Sequence, residues 1–365
     1  MSGGAGGAAG GRLGPEAVAA ADPGGMCRLI AAWPEQIAAQ RQALAARPWP
    51  EPMPAGPFRL LALGGLGGSA IGGDLARGLA EDELALPFLV VRDYEWPAAV
   101  GRGTLCALSS YSGDTEEVLA LYDDAGRRGA ARVALASGGE LARRAARDGV
   151  PCATLAPGLP PRAALGYSLV SLLAMLRALG CALGGPAALE EAQQVLAAEN
   201  RRLAPEVPEA ANPAKQLALA LHGKIVVVYT ATRHLSGVGL RWKGQINENA
   251  KTPAFHGAVP ELNHNETVGW EALRPLHAHV AVVCLRDREE HPRVARRLDL
   301  TRELVAEAGV AAYAAHAAGE GRLARLLSLV QLGDWVSLYL AVLAGVDPMP
   351  VAQIDRLKQA LEATE

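Results

Sequence analysis

The chain has 365 residues, with 35 Lys and Arg against 38 Asp and Glu, which gives a formal net charge of −3. This mild acidity argues against a protein that binds nucleic acid or an anionic membrane, because such proteins usually carry a basic face. Half of the residues are hydrophobic and a fifth are charged, so the composition predicts a folded chain, and the length favours two domains.

The cysteines and the N-terminal segment bear on the compartment of the protein. The five cysteines form no CxxC pair and are Cys27, Cys106, Cys152, Cys181 and Cys284. Disulfide scaffolds and structural zinc sites need a closer pattern, so we expect reduced thiols, no metal and a cytoplasmic protein. The N-terminus lacks the pattern of a signal peptide, and no apolar run reaches the roughly 18 residues of a membrane span.

Residues 1–25 are rich in Gly and Ala and predict a flexible tail.

Apolar and amphipathic segments then alternate along the chain. Residues 26–57 predict a leading helix and a Pro-rich linker. The apolar runs that predict strands are 58–63, 87–92, 104–108, 132–136 and 151–155, and then 224–230, 279–285 and 310–313 before a long helix at 323–344. This alternation is typical of parallel sheets covered by helices on both faces. We therefore predict an α/β protein with two units, 58–195 and 196–345, and a C-terminal helix within 346–365 that packs back near the active site.

Two loops at predicted strand ends carry groups that suit a phosphate. The first strand runs into GGLGGSAIGGD, and the third runs into SSYSGDTEE. Free backbone N–H groups at a helix start bind anions, and serine and threonine hydroxyls add further donors. Two alternatives stay open at this point: tight turns with ordinary helix caps, and a dinucleotide fingerprint at Gly65 and Gly67 with Asp93 as the ribose-binding acid. Asp93 lies 28 residues after Gly65, which is longer than the usual spacing of about 20.

Five segments together resemble the sugar isomerase (SIS) domain, and specifically the bifunctional phosphoglucose/phosphomannose isomerases. They are GLGGSAIGGD (65–74), SYSGDTEE (110–117), PRAALGYS (161–168), GQINENAKTPA (244–254) and PELNHNE (260–266). The resemblance implies two SIS-type three-layer αβα sandwiches, each with a mainly parallel sheet. It also implies a homodimeric aldose–ketose isomerase without cofactor or metal, which interconverts glucose 6-phosphate, mannose 6-phosphate or both with fructose 6-phosphate through a cis-enediol.

The resemblance also implies roles for individual residues. The positions that match the phosphate site are Gly68, Ser69, Ser110, Ser112 and Thr115. In the NENAK motif the matching base is Glu248, a carboxylate that can carry one proton between C1 and C2. Arg162 matches an arginine that stabilises the enediolate, His264 a histidine that assists ring opening across the dimer interface, and Lys358 a lysine that acts on the ring oxygen.

Each of these four residues also has an ordinary structural interpretation. Glu248 could end a solvated helix, and His264 could be a loop histidine. Lys358 could be a surface lysine, and Arg162 could cap a turn after two prolines.

Some features of the sequence depart from the family pattern or favour other functions. Asp114 stands where asparagine is usual, and its carboxylate would repel a phosphate unless it points outward or caps the helix. Leu66 replaces a common methionine, which is a volume-conserving change. Two alternative functions remain, a sugar-phosphate sensor without turnover and, on the glycine fingerprint, an NAD(P)-binding oxidoreductase.

Overall fold

Two parallel sheets organise the computed structural model, which describes residues 11–182 and 184–363. The strands of the first sheet are β1 (Leu60–Gly65), β2 (Phe88–Val91), β3 (Thr104–Ser109), β4 (Ala131–Ala136) and β5 (Cys152–Thr154). Those of the second sheet are β6 (Ile225–Ala231), β7 (Ala254–Val259), β8 (Val280–Arg286) and β9 (Ala311–His316). The orders are β2-β1-β3-β4-β5 and β7-β6-β8-β9. The predicted α/β architecture is therefore confirmed.

Helices precede, connect and cover these strands. The α-helices are α1 (Pro15–Ala21), α2 (Met26–Ala31), α3 (Trp33–Ala46), α4 (Gly67–Ala80), α5 (Glu116–Arg127), α6 (Gly139–Asp148), α7 (Leu165–Ala178), α8 (Pro186–Leu203), α9 (Pro213–Leu221), α10 (Ser236–Ala250), α11 (Pro292–Glu307), α12 (Arg322–Ala344) and α13 (Ala352–Glu362). Short 3₁₀ helices cover Pro161–Ala163, Glu209–Ala211, Glu261–His264, Glu266–Glu271 and Arg274–His279.

The side chains of β1 point alternately to the two faces of the first sheet, and both faces are buried. Leu61 and Leu63 join the large central core, whereas Leu60 and Ala62 pack with α5 and α6 on the other face. Successive strand residues point to opposite faces, so a strand covered on both sides reads as a continuous apolar run. The same rule explains why most of the strands could be predicted from short apolar runs.

The second sheet shares the central core with the first. Alternate residues of β6 and β8 enter it, including Val226 and Val283, while Tyr229 and Cys284 pack on the opposite face with α11. Helices α10 and α12 lie between the sheets and contact each other along their lengths. Residues of both sheets thus belong to one continuous apolar core.

Strand β7 was not predicted, because it lacks a continuous apolar run. Its sequence, AFHGAV, contains His256 and Gly257, and Phe255 is exposed. β7 pairs only with β6 in the described sheet, so it is an edge strand. Edge strands tolerate polar residues that a central strand excludes.

The prediction of a flexible tail is wrong over residues 11–25, and residues 1–10 lie outside the described part of the chain. Leu13 is fully buried and its N–H donates to Glu209 Oε1 at 3.0 Å. Val18 of α1 is also buried, and Asp22 accepts hydrogen bonds from the N–H groups of Met26 and Cys27 at 2.8 and 2.7 Å. The Gly and Ala content concealed these few anchoring residues, which offset the backbone entropy of the segment.

Helix α12 corrects the prediction that no apolar run is long enough to span a membrane. By length and composition alone this helix qualifies, yet 89% of its most apolar window is buried inside the protein. It passes through the centre of the shared core, where a helix is apolar on all sides. Helix α8 runs without a break across the predicted boundary at residues 195 and 196, so the division into two units stays a prediction.

Candidate active site

The two predicted phosphate loops lie side by side because β1 and β3 are adjacent parallel strands. Gly65 at the end of β1 pairs with Ser109 at the end of β3. Ser69 Oγ accepts a hydrogen bond from the N–H of Tyr111 at 3.3 Å, which ties the start of α4 to the second loop. Ser110 Oγ lies 2.7 Å from Thr115 Oγ1 and accepts from the N–H of Gly113 at 3.1 Å.

Together these groups form a hydroxyl cup, which we define as Ser69, Ser110 and Thr115. Ser69 and Ser110 are buried and Thr115 is half-buried, so their hydroxyls are partly withdrawn from water. Ser112 is exposed and its Oγ accepts from the N–H of Asp114 at 3.3 Å, so it lies at the rim. Thr115 precedes the first residue of α5, whose positive dipole end faces the cup.

Glycine at position 68 lets the first loop approach the turn that carries Arg162. A Cβ atom at Gly68 would lie 2.9 Å from the carbonyl oxygen of Pro161, closer than real contacts allow. The 3₁₀ turn Pro161–Ala163 therefore packs directly against the start of α4. This close contact places Arg162 beside the Gly-rich loop.

Glu248 on α10 faces Arg162 across a cleft. It lies in the last turn of α10, its side chain is 30% exposed, and its Oε2 is 3.7 Å from Arg162 Nη1. Both residues line a cleft of about 190 Å³, whose walls also include Gly67, Gly68, Arg92 and Lys243. A carboxylate and a buried cation thus share one cleft next to the hydroxyl cup.

Arg162 is unusually well buried for a charged residue. Only 5% of its side chain is exposed, and burial lowers the pKa of its guanidinium, whereas the charge of Glu248 raises it. A guanidinium remains protonated in proteins even so. The buried charge of Arg162 therefore faces the half-buried carboxylate of Glu248 across the cleft.

The end of α10 is tied down immediately beyond Glu248. Lys251 adopts a left-handed conformation with φ of 53°, which is rare for a side-chain-bearing residue and stops the helix. Its ammonium donates to the carbonyl oxygens of Glu248 at 2.7 Å and Pro348 at 3.2 Å. Burial, followed by the charge of Arg162, lowers the pKa of Lys251. These bonds fix the backbone that carries Glu248.

His264 and Lys358 are not brought into this cleft within the single chain. His264 ends the 3₁₀ helix Glu261–His264 and is exposed, and Lys358 is exposed on α13. Asp93, the acid of the dinucleotide alternative, is also exposed and accepts a hydrogen bond from the adjacent Tyr94 N–H. The geometry therefore unites Glu248, Arg162 and the first phosphate loop, and leaves His264 and Lys358 at the surface.

Comparison with known proteins decides the family. The model of the bacterial phospho-glucose isomerase C-terminal SIS domain matches residues 210–361. The bifunctional phosphoglucose/phosphomannose isomerase of Caldicellulosiruptor bescii is 45% identical over 297 residues, which cover 81% of this chain and 88% of the relative. The chain belongs to the bifunctional phosphoglucose/phosphomannose isomerase family.

One further relative agrees with this assignment, and a solved structure shares the fold. The protein of the same name from Aquifex aeolicus is 35% identical and covers 84% of this chain and 91% of its own. In fold, a glucose-6-phosphate isomerase-like protein of Thermus thermophilus superimposes with a TM-score of 0.55 at 24% identity. That match covers 89% of this chain and 97% of the solved one. The family predicted from the five sequence motifs is confirmed.

The structure explains how a member of this family carries an aspartate at position 114. Asp114 Oδ1 accepts a hydrogen bond from the N–H of Glu140 at 2.8 Å, in the first turn of α6. The carboxylate thus caps a neighbouring helix and interacts with its positive dipole end. One of the two conditions set for Asp114 by the sequence, that it cap a helix, is met.

Replacing Asp114 with alanine is therefore expected to lower the free energy of unfolding by about 1 kcal/mol, the usual cost of losing a helix cap. The free energy of unfolding of Asp114→Asn should stay near that of the wild type, because an amide oxygen can accept the same hydrogen bond. Urea unfolding of the three proteins measures the difference. Equal losses in both variants would contradict a capping role for the side-chain oxygen.

Four buried polar residues at and behind the wall of the cleft were not predicted from the sequence, namely Arg241, Asn249, Asp334 and Ser337. Arg241 forms a buried ion pair with Asp334, with Nε and Nη2 at 3.0 and 2.8 Å from its oxygens. Its Nη2 also donates to the carbonyl oxygen of Arg162 at 2.7 Å. A signal was present, since Asp334 is the one acidic residue of the mostly apolar helix α12, but its partner lies 93 residues away in the chain.

Proposed function

We propose that this protein is an aldose–ketose isomerase that interconverts glucose 6-phosphate and mannose 6-phosphate with fructose 6-phosphate, using Glu248 as the base. The observation that carries the proposal is the pair of Glu248 and Arg162 across one cleft, with the hydroxyl cup adjoining it. Two relatives at 45% and 35% identity are named bifunctional phosphoglucose/phosphomannose isomerases.

The proposed chemistry is a proton shuttle. Glu248 removes the proton from C2 of the open-chain aldose, the C–H electron pair forms the C1=C2 double bond, and the carbonyl oxygen gains negative charge. Arg162 Nη1 stabilises that charge while the O2 proton passes to O1, and Glu248 then returns its proton to C1 as the C2=O double bond forms, which gives the ketose. Loss of C2 stereochemistry in the planar enediol allows both epimers to form from one ketose.

Substrate capture has to be local, because the chain carries a net charge of −3. Four cationic side chains line the cleft, of which Arg92 and Arg241 are paired with Asp74 and Asp334, and Arg162 faces Glu248, so Lys243 completes the set. We assign the phosphate to the hydroxyl cup with Gly68 and Ser112, where backbone N–H groups and the start of α5 favour an anion. The sugar then extends from the cup into the cleft.

Ser110→Ala is expected to raise KM for fructose 6-phosphate by about 10- to 100-fold, because a hydrogen bond to a charged group contributes about 1.5–3 kcal/mol. The turnover number should change much less, since the cup is remote from C1 and C2. Ser137→Ala, whose hydroxyl donates to the Tyr111 carbonyl oxygen, is the control. Initial-rate kinetics measure both constants, and an unchanged KM in Ser110→Ala would contradict the assignment.

Ring opening needs an acid and a base, which we assign to His264 and Lys358 in a homodimer. His264 would act on the active site of a partner subunit. Exposed apolar side chains support the homodimer. One face of α13 carries an exposed apolar stripe, formed by Ile354, Leu357 and Leu361. Val268, Leu273 and Leu276, close after His264 in the chain, are exposed as well. Apolar surface of this kind is typical of a subunit interface.

Mixed dimers test the supply of His264 between subunits. Glu248→Gln and His264→Ala chains should each be nearly inactive alone. If His264 acts on the partner's site, one of the two sites in a mixed dimer is intact, and about half of the wild-type activity should return. Tagged co-expression isolates the mixed dimer, and size-exclusion chromatography checks its mass. A mixed dimer as inactive as both parents would place His264 in its own subunit's site.

The proposal as a whole is tested by forming glucose 6-phosphate from fructose 6-phosphate, read with a coupled dehydrogenase, and by the same assay for mannose 6-phosphate. Incorporation of solvent deuterium at C2 tests proton transfer. Thermal stabilisation by fructose 6-phosphate without turnover would instead identify a sensor, and tight NAD(P) binding would favour an oxidoreductase. We also propose a cytoplasmic location, which suits the five free cysteines.

A further inference from the structure

The guanidinium of Arg162 donates to three acceptors through two of its three nitrogens. Its Nε donates to Asn249 Oδ1 at 2.9 Å, and its Nη2 donates to the carbonyl oxygens of Pro348 and Met349 at 2.8 and 2.7 Å. A guanidinium has five N–H donors in one plane. These three bonds use every donor except the two on Nη1, so they fix the plane and leave Nη1 facing Glu248.

Asn249 can satisfy this geometry in only one orientation. Its side chain is fully buried, and its Nδ2 donates to Ser337 Oγ at 2.9 Å. Ser337 Oγ in turn donates to the Asp334 carbonyl oxygen at 2.7 Å, so the serine hydrogen is already used. A flipped amide would set its NH₂ group against the Nε–H of Arg162 and its oxygen against a hydroxyl without a free hydrogen. The amide therefore has a fixed direction.

Asn249 and Glu248 are neighbours on α10 with opposite surroundings. Consecutive residues of a helix point about 100° apart, so Glu248 lines the cleft while Asn249 points toward α12. One turn of helix thus supplies both the base and a contact that orients its cation. Asn247, on the other side of Glu248, is exposed and bonds to the carbonyl oxygens of Lys243 and Ala254.

We propose that Asn249 is a positioning residue of the isomerase reaction, which acts by holding Arg162 Nε so that Nη1 is aimed at the oxygen that gains charge. This inference rests on the proposed function, because it needs Arg162 to stabilise the enediolate. Preorganised donors are effective only when they are fixed before the reaction, and displacement by 1 Å can cost about 10²-fold in rate.

The first test compares Asn249→Leu with Asn247→Leu, which makes the same change two residues away on the exposed side. Asn249→Leu removes the acceptor and should lower kcat by about 10- to 100-fold, with KM for fructose 6-phosphate nearly unchanged, since the hydroxyl cup is intact. Asn247→Leu should keep both constants near wild type. A kcat for Asn249→Leu within twofold of wild type, or an equal fall in Asn247→Leu, overturns the proposal.

The second test uses aspartate at both positions and remains informative if Asn249→Leu does not fold. Asn249→Asp keeps an acceptor for Arg162 Nε, but it places a buried negative charge next to the guanidinium. That charge weakens the positive potential that Arg162 presents to the enediolate, so kcat should fall by about 10-fold while KM for fructose 6-phosphate stays nearly unchanged. Asn247→Asp adds the same charge in solvent, where screening limits its effect. Equal kcat values for the two variants overturn the proposal.

Assays of the wild type and of Glu248→Gln under the same conditions distinguish a failure of the proposed function from a failure of the positioning role of Asn249. Inactive wild-type protein refutes the proposed function, and the positioning role with it. Active wild type, inactive Glu248→Gln and unaffected Asn249→Leu would refute the positioning role alone.

Discussion

Glu248→Gln is expected to lower kcat by about 10²- to 10⁴-fold, the range that a positioned general base contributes. Glutamine has nearly the same size and can still accept a hydrogen bond, but it cannot take the C2 proton. KM should change little, because we assign the phosphate contacts to the hydroxyl cup, which this substitution leaves intact. Solvent deuterium should stop exchanging into C2, since exchange and isomerisation depend on the same proton transfer.

Glu307→Gln provides the matched control. Glu307 is exposed at the end of α11 and lies outside the residues that line the cleft. Both variants lose one negative charge, so any general effect of net charge appears in each. If Glu248→Gln kept more than a tenth of the wild-type kcat, another group would have to carry the proton, and the role of Glu248 in this cleft would be wrong.

The candidate site was predictable where a single loop or helix turn contains the chemistry. The hydroxyl cup lies within two loops, and Glu248 lies within one motif, so the local sequence identifies them. The environment of Arg162 was not predictable, because its partners are carbonyl groups of Pro348 and Met349 that carry no sequence signal. Asn249 and Ser337 meet through packing of α10 against α12, which only the three-dimensional fold reveals.

The fold was predictable where burial on both faces produces an apolar run, as in β1, β3 and β6. It was not predictable where a few contacts decide the outcome. Strand β7 lies at a sheet edge and keeps polar residues, and α1 is held by Leu13 and Val18 within a Gly- and Ala-rich segment. Composition averages over such residues, whereas the energy of a segment depends on each buried side chain.

Asp334→Ala is expected to lower the free energy of unfolding by about 3–5 kcal/mol, because it leaves Arg241 charged and unpaired in the core. The two side chains are 1% and 3% exposed. Desolvation raises the pKa of Asp334, and its bonds to Arg241 and Gln245 act in the opposite direction. Urea unfolding followed by circular dichroism measures the loss. Asp299→Ala breaks a more exposed ion pair with Arg286, so it should lower the free energy of unfolding by much less.

The double variant Arg241→Met, Asp334→Leu separates stability from activity. The raised pKa of Asp334 indicates that its partners do not fully offset the cost of burying its charge. Apolar side chains of similar volume should therefore recover most of the stability that Asp334→Ala loses. Activity should not recover, because Arg241 Nη2 no longer holds the carbonyl oxygen of Arg162, and the turn that carries this cation gains freedom. A double variant that is both stable and fully active would show that the ion pair serves folding alone.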